Sequence, residues 1–441
     1  MKYYQKLALL LSLLWGFIAL QRIVIAIIMP AIQSEMKFSY TDVGLILAIT
    51  GLTWAFGTII FAAIGDKFGR RPVIVVTAIL AACFSWITGF VHTLGGMLWI
   101  RGILGFFEGG PWAPSVSTLA EEAPPEKRGL TVGTLSACFM LIGVAVGPLV
   151  ATWILGVYGS WRPVFYILSV PAALIAVIII FVMHETPSMT ETLNMRKRGE
   201  KKVIYHQGQR MRLIDVLKFK NVLVSTINSI PVMAVLWVYT GFSALFLVKV
   251  HQFSMGQVGI AMAASGVGGF FGVLSMGGLS DHIGRRTAMI IAGLLCAAAG
   301  AAVALAPVGT PLAVFLVPFF FWGFFGIGTF PLYLGTLPTE CVPPECAGTA
   351  ASIPTGVGEF LGASAMPALA GLLADKFGLI APVWMTVISG VLIAIISLFY
   401  VETAPRKVAK MAKKPTREDH LLSPFRGKQL VPEPVYDATE R

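Results

Sequence analysis

Charge is what this sequence has least of. Only 12% of its 441 residues are Asp, Glu, Lys or Arg, against about a quarter in soluble domains. A soluble chain of this length could bury a large core, but it could not cover its surface with so few charges. Lipid is therefore its natural solvent. Cysteine is scarce as well. Of the five, Cys83, Cys138 and Cys296 fall inside apolar runs, while Cys341 and Cys346 lie beside a loop. Their spacing suits neither a disulfide framework nor, with histidine, a metal site, so no metal is expected. A nucleophile in triad-like context and a nucleotide-binding loop are both missing from the pattern, so an enzyme is not expected.

What is abundant agrees with lipid. Hydrophobic residues make up 56% of the chain, and 46 glycines allow close helix approach. The mean hydropathy is +0.80. The net charge of +11 would suggest nucleic-acid binding in a soluble protein. Here the basic residues sit in short loops and the tail, where they act as topology signals, so nucleic acid is not an expected partner. The opening MKYYQKLALLLSLLWGFIAL resembles a signal peptide, but no small-residue cleavage site follows and the apolar run continues. It is expected to remain as the first span.

Apolar runs of about 20 residues suffice to cross a bilayer. Twelve are expected, at 7–33, 43–64, 73–92, 95–119, 129–156, 161–183, 221–249, 256–279, 287–306, 311–336, 346–374 and 380–401. The organisation is then a bundle over 1–183, a linker over 184–220, a second bundle over 221–401 and a tail over 402–441. The linker ends in MRLIDVLKFK, whose apolar residues recur at helical spacing with basic ones between. That pattern predicts a short helix lying on the inner membrane surface. The charged, proline-containing tail is expected to be disordered. With both termini cytoplasmic, 27 of the 33 lysines and arginines fall in the termini and inward loops. Lys37, Arg162, Lys249 and Lys376 fall at outward ends and two lie within spans. The opposite orientation would invert that ratio, so both termini are expected inside.

The chain also repeats itself. Residues 62–72 read AAIGDKFGRRP after the second span, and residues 277–286 read GGLSDHIGRR after the eighth. The shared D-x-x-G-R-R recurs 215 residues later, at the same point of each six-span set. Two homologous halves explain it, giving an all-α membrane protein of twelve transmembrane helices in two pseudo-symmetric six-helix bundles.

These loops resemble the signature of the major facilitator superfamily, G-x-L-A-D-K/R-x-G-R-R/K between the second and third helices. Asp66, Lys67, Gly69, Arg70 and Arg71 match in the first half, with Ala62 in place of the first glycine. Gly277, Leu279, Asp281, Gly284, Arg285 and Arg286 match more fully in the second. RGILGFFEGG in the fourth span and GSWRPVFY before the sixth are also similar to the family, and the resemblance covers residues 1 to about 401. Within the family, Gln21-Arg22, the run from Arg101 to Glu108 and LIDVLKFKNVL resemble the anion:cation symporters. That group carries sugar acids, sialic acid and related organic anions.

Several polar residues sit where charge is expensive. Arg22 lies about fifteen residues into the first span, roughly 20 Å along the helix. Such a charge needs water or a partner. It is either a structural ion pair or a clamp for a substrate carboxylate, since guanidinium offers a planar fork. Resemblance to the family's binding arginine implies the clamp. Glu108 lies about thirteen residues into the fourth span, at a depth approaching that of Arg22. Burial favours its neutral form and a nearby guanidinium its charged form, a balance that can shift with the side that is open. The resemblance implies proton coupling there, against a permanent ion pair. Arg101 shares a helix face with Glu108 about 10 Å away. It is read either as competing for Glu108 and gating the cavity or as anchoring helix packing. Gln21 stands where several relatives carry an acid, and an amide cannot titrate. Glu359, in TGVGEFLGASAMP of the eleventh span, could serve as a second proton site or pair with a backbone donor. Trp54, Trp237 and Tyr239 are candidates to line the pore, or else packing residues. Asp66 and Asp281 sit at helix ends suited to capping or to pairing with Arg70, Arg71, Arg285 and Arg286. The resemblance implies that these clusters latch the halves when the cavity opens outward.

The leading expectation is an importer of a small organic carboxylate by alternating access, with no cofactor, driven by the proton gradient. Its partners would be the organic anion, protons and the lipid of a bacterial inner membrane, with the chain acting as a monomer. Proton-driven efflux or anion exchange is the alternative, supported by Gly143-x-x-x-Gly147-Pro148 in the fifth span. A transporter-like solute sensor is a third reading.

Overall fold

The computed structural model describes residues 2–124, 127–198, 205–206, 209–210, 213–342, 346–404 and 406–408. Among them, eleven continuous helices are long and apolar enough to cross a bilayer. In the first half they run Tyr3–Ile27, Tyr40–Phe68, Arg70–Thr88, Arg128–Tyr158 and Arg162–Val182. In the second half they run Lys220–Lys249, Met255–Ile283, Arg285–Ala304, Leu312–Thr339, Ala347–Phe377 and Ile380–Ser397. The remaining expected span, the fourth, is present in two pieces, Leu94–Glu108 and Trp112–Glu122. Gly109, Gly110 and Pro111 separate them. Two glycines weaken the helix and proline removes a backbone donor, so the break falls directly after Glu108. The first span is prolonged past Ile28 by a further helix, Met29–Met36.

The internal repeat is visible in the turns. Ser39 caps the second span with Asp42 in a capping box, and Ser254 caps the eighth with Gln257 in the same way. Gly69 and Gly284 take φ of 109° and 100°, a backbone region open to glycine, between the second and third and the eighth and ninth spans. Both pairs stand 215 residues apart, which carries the two-bundle pseudo-symmetry from sequence into backbone.

The first and seventh spans are innermost, with 83% and 94% of their apolar windows buried against 44–61% elsewhere. The halves meet along two further seams, the second span on the eleventh and the fifth on the eighth. One end of the molecule carries the chain ends. The Tyr3 hydroxyl accepts a hydrogen bond from the His184 backbone at 2.9 Å, and Asn221 bonds Val401 through both donor and acceptor. We call this the terminal end and its opposite the far end. At the far end the halves are tied together by Asp375, which accepts from the backbone of Tyr40 and Thr41.

The linker differs from expectation. It holds a helix at Pro187–Lys197, a two-residue antiparallel pairing of Tyr205 with Arg210 and His206 with Gln209, and a 3-10 turn at Leu213–Lys218. In that turn Val216 is buried in a cluster with Val222, Cys346 and Ala350. The segment read as an interfacial helix thus forms a 3-10 turn whose Val216 packs against the second half. Met211, Arg212 and the tail beyond 408 lie outside the described residues.

Candidate functional site

The deepest charge is Arg22, nineteen residues after Tyr3 on the innermost span of the first half. Its Nη2 lies 2.7 Å from Oε2 of Glu359, and both side chains are about 95% buried. The two residues belong to opposite halves, so this ion pair bridges them. Glu359 sits in a π-helical stretch, Gly358–Ala365, where the eleventh span is locally widened. Such widened turns redirect side chains, and they recur at functional positions. The small residues around Glu359 let the seventh span approach it closely.

Two indoles close over the guanidinium. The Arg22 guanidinium carbon lies 3.9 Å from the Trp237 ring centre and 5.0 Å from that of Trp54. Each half contributes one ring, a cation–π sandwich that favours a desolvated guanidinium. Both indole nitrogens are buried without a hydrogen-bond partner among the described residues. Tyr333, which the sequence reading missed, is fully buried and close enough to Glu359 to feel its charge. Its hydroxyl also has no hydrogen-bond partner among the described residues. The signal was present in the Pro- and Gly-rich tenth span, where a lone tyrosine is costly to bury unless something answers it.

Glu108 does not join Arg22. It is fully buried at the end of its helix, and neither carboxyl oxygen accepts a hydrogen bond among the described residues. Arg101 and Arg22 are within electrostatic reach of it. Arg22 and Glu108, expected at similar depth, do not bond each other; the eleventh span presents the Glu359 carboxylate directly to the guanidinium. Arg101 is fully buried too. It donates from Nη1 to the Gln21 carbonyl at 3.2 Å and from Nη2 to the Arg22 carbonyl at 3.0 Å. Both bonds join the fourth span to the first at the turn that carries Arg22. Gln21 turns to the sixth span, donating to the Ser169 carbonyl at 3.4 Å. Tyr239 is buried against Trp322 and Phe319 of the tenth span, with ring centres 4.1 and 5.5 Å away. The structure brings together Arg22, Glu359, Trp54 and Trp237, and places Gln21 and Tyr239 against neighbouring helices.

The paired loops form matching networks at the terminal end. Arg70 bonds Glu121 at 2.7 Å, and Arg285 bonds Glu340 at 3.0 Å and Asp281 at 2.6 Å. The backbone N–H of Arg71 donates to Glu185, and that of Arg285 to Glu402. Asp66 and Arg286 are exposed beside them. Each of these bonds stays within its own half. No group of three or more His, Cys, Asp or Glu is placed to hold a metal among the described residues.

Two helical halves joined around a buried ionic centre, with the far end tied shut, define a multi-pass membrane transporter. The Major Facilitator Superfamily pattern matches residues 11–357, and the chain belongs to that family. It is 23% identical to a probable 4-methylmuconolactone transporter of Cupriavidus pinatubonensis, over 83% of this chain and 82% of that one. It is 25% identical to a probable sulfoacetate transporter of Cupriavidus necator, over 82% and 85%. In fold it is similar to a bacterial homolog of the human lysosomal transporter Spinster, solved inward-facing and unoccupied. The TM-score is 0.74, with 18% identity over 91% of this chain and 98% of that one. Family and relatives alike are transporters rather than enzymes.

Proposed function

We propose that the protein imports a small organic carboxylate together with protons across a bacterial inner membrane, with the terminal end facing the cytoplasm. The observation that carries this reading is the 2.7 Å Arg22–Glu359 pair between the halves. The guanidinium presents a planar fork of donors, which is an anion site. Glu359 occupies that site when substrate is absent. An incoming carboxylate must displace it, leaving a buried carboxylate with no counter-charge. Such a state is costly and is relieved by taking up a proton. Anion and proton thus bind together, and their joint departure restores the bridge.

Glu108 is the second proton site, a buried carboxyl with no bonded partner among the described residues and two guanidinium groups in reach. The proton gradient is the driving force, with no cofactor, and one chain suffices. The Asp66 and Asp281 clusters set the balance between open states, binding across the halves when the cavity faces outward. The names of the relatives, carriers of a lactone and of a sulfonated acid, support a small oxygen-rich anion.

Uptake of radiolabelled carboxylates into proteoliposomes tests this. Acid outside should drive accumulation, and Arg22→Lys, which keeps charge but loses the fork, should cut uptake at least tenfold. Counterflow indifferent to the gradient would point instead to exchange. Binding without flux would point to a sensor.

A further inference from the structure

One buried hydroxyl near the ion pair is left without a partner. Tyr333 is completely buried, and its hydroxyl makes no hydrogen bond among the described residues. Its ring packs edge-on against Phe330, with centres 5.5 Å apart, so the ring is seated while the hydroxyl is not. A phenol kept from water without a partner costs free energy, and a buried tyrosine usually has one. Phenylalanine would fill the same place without that cost. The groups whose charge reaches Tyr333 are Glu359 and Tyr400. Tyr400 is already engaged, its hydroxyl 3.1 Å from that of Ser225. Glu359 is engaged only as long as Arg22 holds it.

Helix direction brings the two side chains toward each other. Tyr333 lies in the π-helical stretch Pro331–Thr336, six residues before the tenth span ends at Thr339. Glu359 lies twelve residues after the eleventh span begins at Ala347. At about 1.5 Å per residue, Tyr333 is about 9 Å in from the terminal-end turn between these spans, and Glu359 about 18 Å. Helical side chains tilt toward their own N-terminus. The tenth span runs from the far end, so Tyr333 tilts inward to Glu359. The eleventh runs from the terminal end, so Glu359 tilts back to Tyr333. The stretch carrying Tyr333 also packs against Ala347–Val357, the helical run that ends where the widened turn of Glu359 begins.

Resting on the carboxylate–proton reading above, we propose that Tyr333 is the alternative seat of Glu359. When a substrate carboxylate takes Arg22, the Glu359 carboxyl turns to Tyr333, whose hydroxyl donates to its carbonyl oxygen. A protonated carboxyl keeps acceptor capacity, and the phenol has the donor to match it. The bond exists only with substrate bound. Tyr333 is thus a positioning residue. It does not touch the substrate; it holds Glu359 clear of the guanidinium until anion and proton leave.

The test is infrared difference spectroscopy of the purified full chain near pH 7, on adding benzoate, glucuronate, sulfoacetate or acetate. Binding should raise a protonated-carboxyl band that Glu359→Gln lacks. In Tyr333→Phe the band should persist at higher frequency, because its carbonyl loses a hydrogen bond. Affinity should fall about fivefold, the contribution of one such bond. Without ligand, the melting temperature of Tyr333→Phe should not fall, since no bond is lost in that state. A Glu359 band that Tyr333→Phe leaves unmoved, or a lowered melting temperature without ligand, overturns the proposal and leaves the carboxylate–proton reading standing. No protonated-carboxyl band with any of the four, or one that survives in Glu359→Gln, overturns both.

Discussion

Asp375, near the end of the eleventh span, caps the second span from the opposite half. Its carboxylate accepts from the Tyr40 backbone at 3.0 Å, the Thr41 backbone at 2.8 Å and the Thr41 hydroxyl at 2.5 Å. A helix N-terminus has unsatisfied donors and a partial positive charge, so a carboxylate there is well matched. The cap exists only while the far end is closed, which makes it a counterweight to whatever opens that end. Asp375→Ala should shift the balance toward far-end opening by about fivefold, as expected for losing about 1 kcal/mol of exposed hydrogen bonding. Spin labels at Gln33 and Lys376 would report it as a larger population of long distances. An unchanged distribution would remove Asp375 from the closure.

An ion pair within the first half, also at the far end, titrates. Glu35 accepts from Arg162 at 2.6 Å and from the Trp161 indole at 2.7 Å. The hydrogen bond from Arg162 holds its carboxyl below the ordinary value of 4.5, with Trp161 and the Arg162 charge adding and slight burial opposing. A lowered folded value means stabilisation that is present above about pH 4.5 and lost as pH falls through the folded value. The melting temperature of Glu35→Gln should therefore lie below the parent's by a constant margin from about pH 8 to 5. Toward pH 3 the margin should shrink. A gap that widens on acidification would contradict the assignment.

Arg101 predicts a split in kinetics. Lysine in its place keeps a charge but cannot fork to two carbonyls. Arg101→Lys should raise KM about tenfold, the effect of about 1.4 kcal/mol, by loosening the helix that presents Arg22. Acid stimulation of uptake should persist, because neither Glu359 nor Glu108 is altered. Loss of acid stimulation would instead place Arg101 in the proton path.

Much of this was legible in the chain itself. Hydropathy located the crossings, D-x-x-G-R-R located the repeat, and depth alone singled out Arg22, Glu108 and Glu359. The pairing was not legible. Arg22 and Glu359 are 337 residues apart, and nothing local says which of two buried acids reaches a buried base. The widened turn at Gly358–Ala365 leaves no periodic trace, since it changes helix geometry without changing composition. The break after Glu108 was written in Gly109-Gly110-Pro111, but the apolar run around it reads as one continuous span. The linker misled for a different reason. An amphipathic stretch fits lipid and a protein surface equally well, and here Val216 found protein.

Glu108 bears on the electrical character of transport. Two protons with a monoanion move one net charge, worth about 2.3 kcal/mol per 100 mV, whereas one proton moves none. Uptake by the parent should quicken under an inside-negative potential, and Glu108→Gln should not respond. Equal responses in both would relieve Glu108 of its role.

The central claim is that Glu359 yields Arg22 to the substrate and takes a proton in exchange. Proton uptake on binding is the direct measure, from calorimetry in buffers of different ionisation enthalpy with the tightest-binding carboxylate. The parent should take up close to one proton per carboxylate bound near pH 7, and Glu359→Gln none while still binding. Equal uptake by both proteins, or none by either, would contradict it.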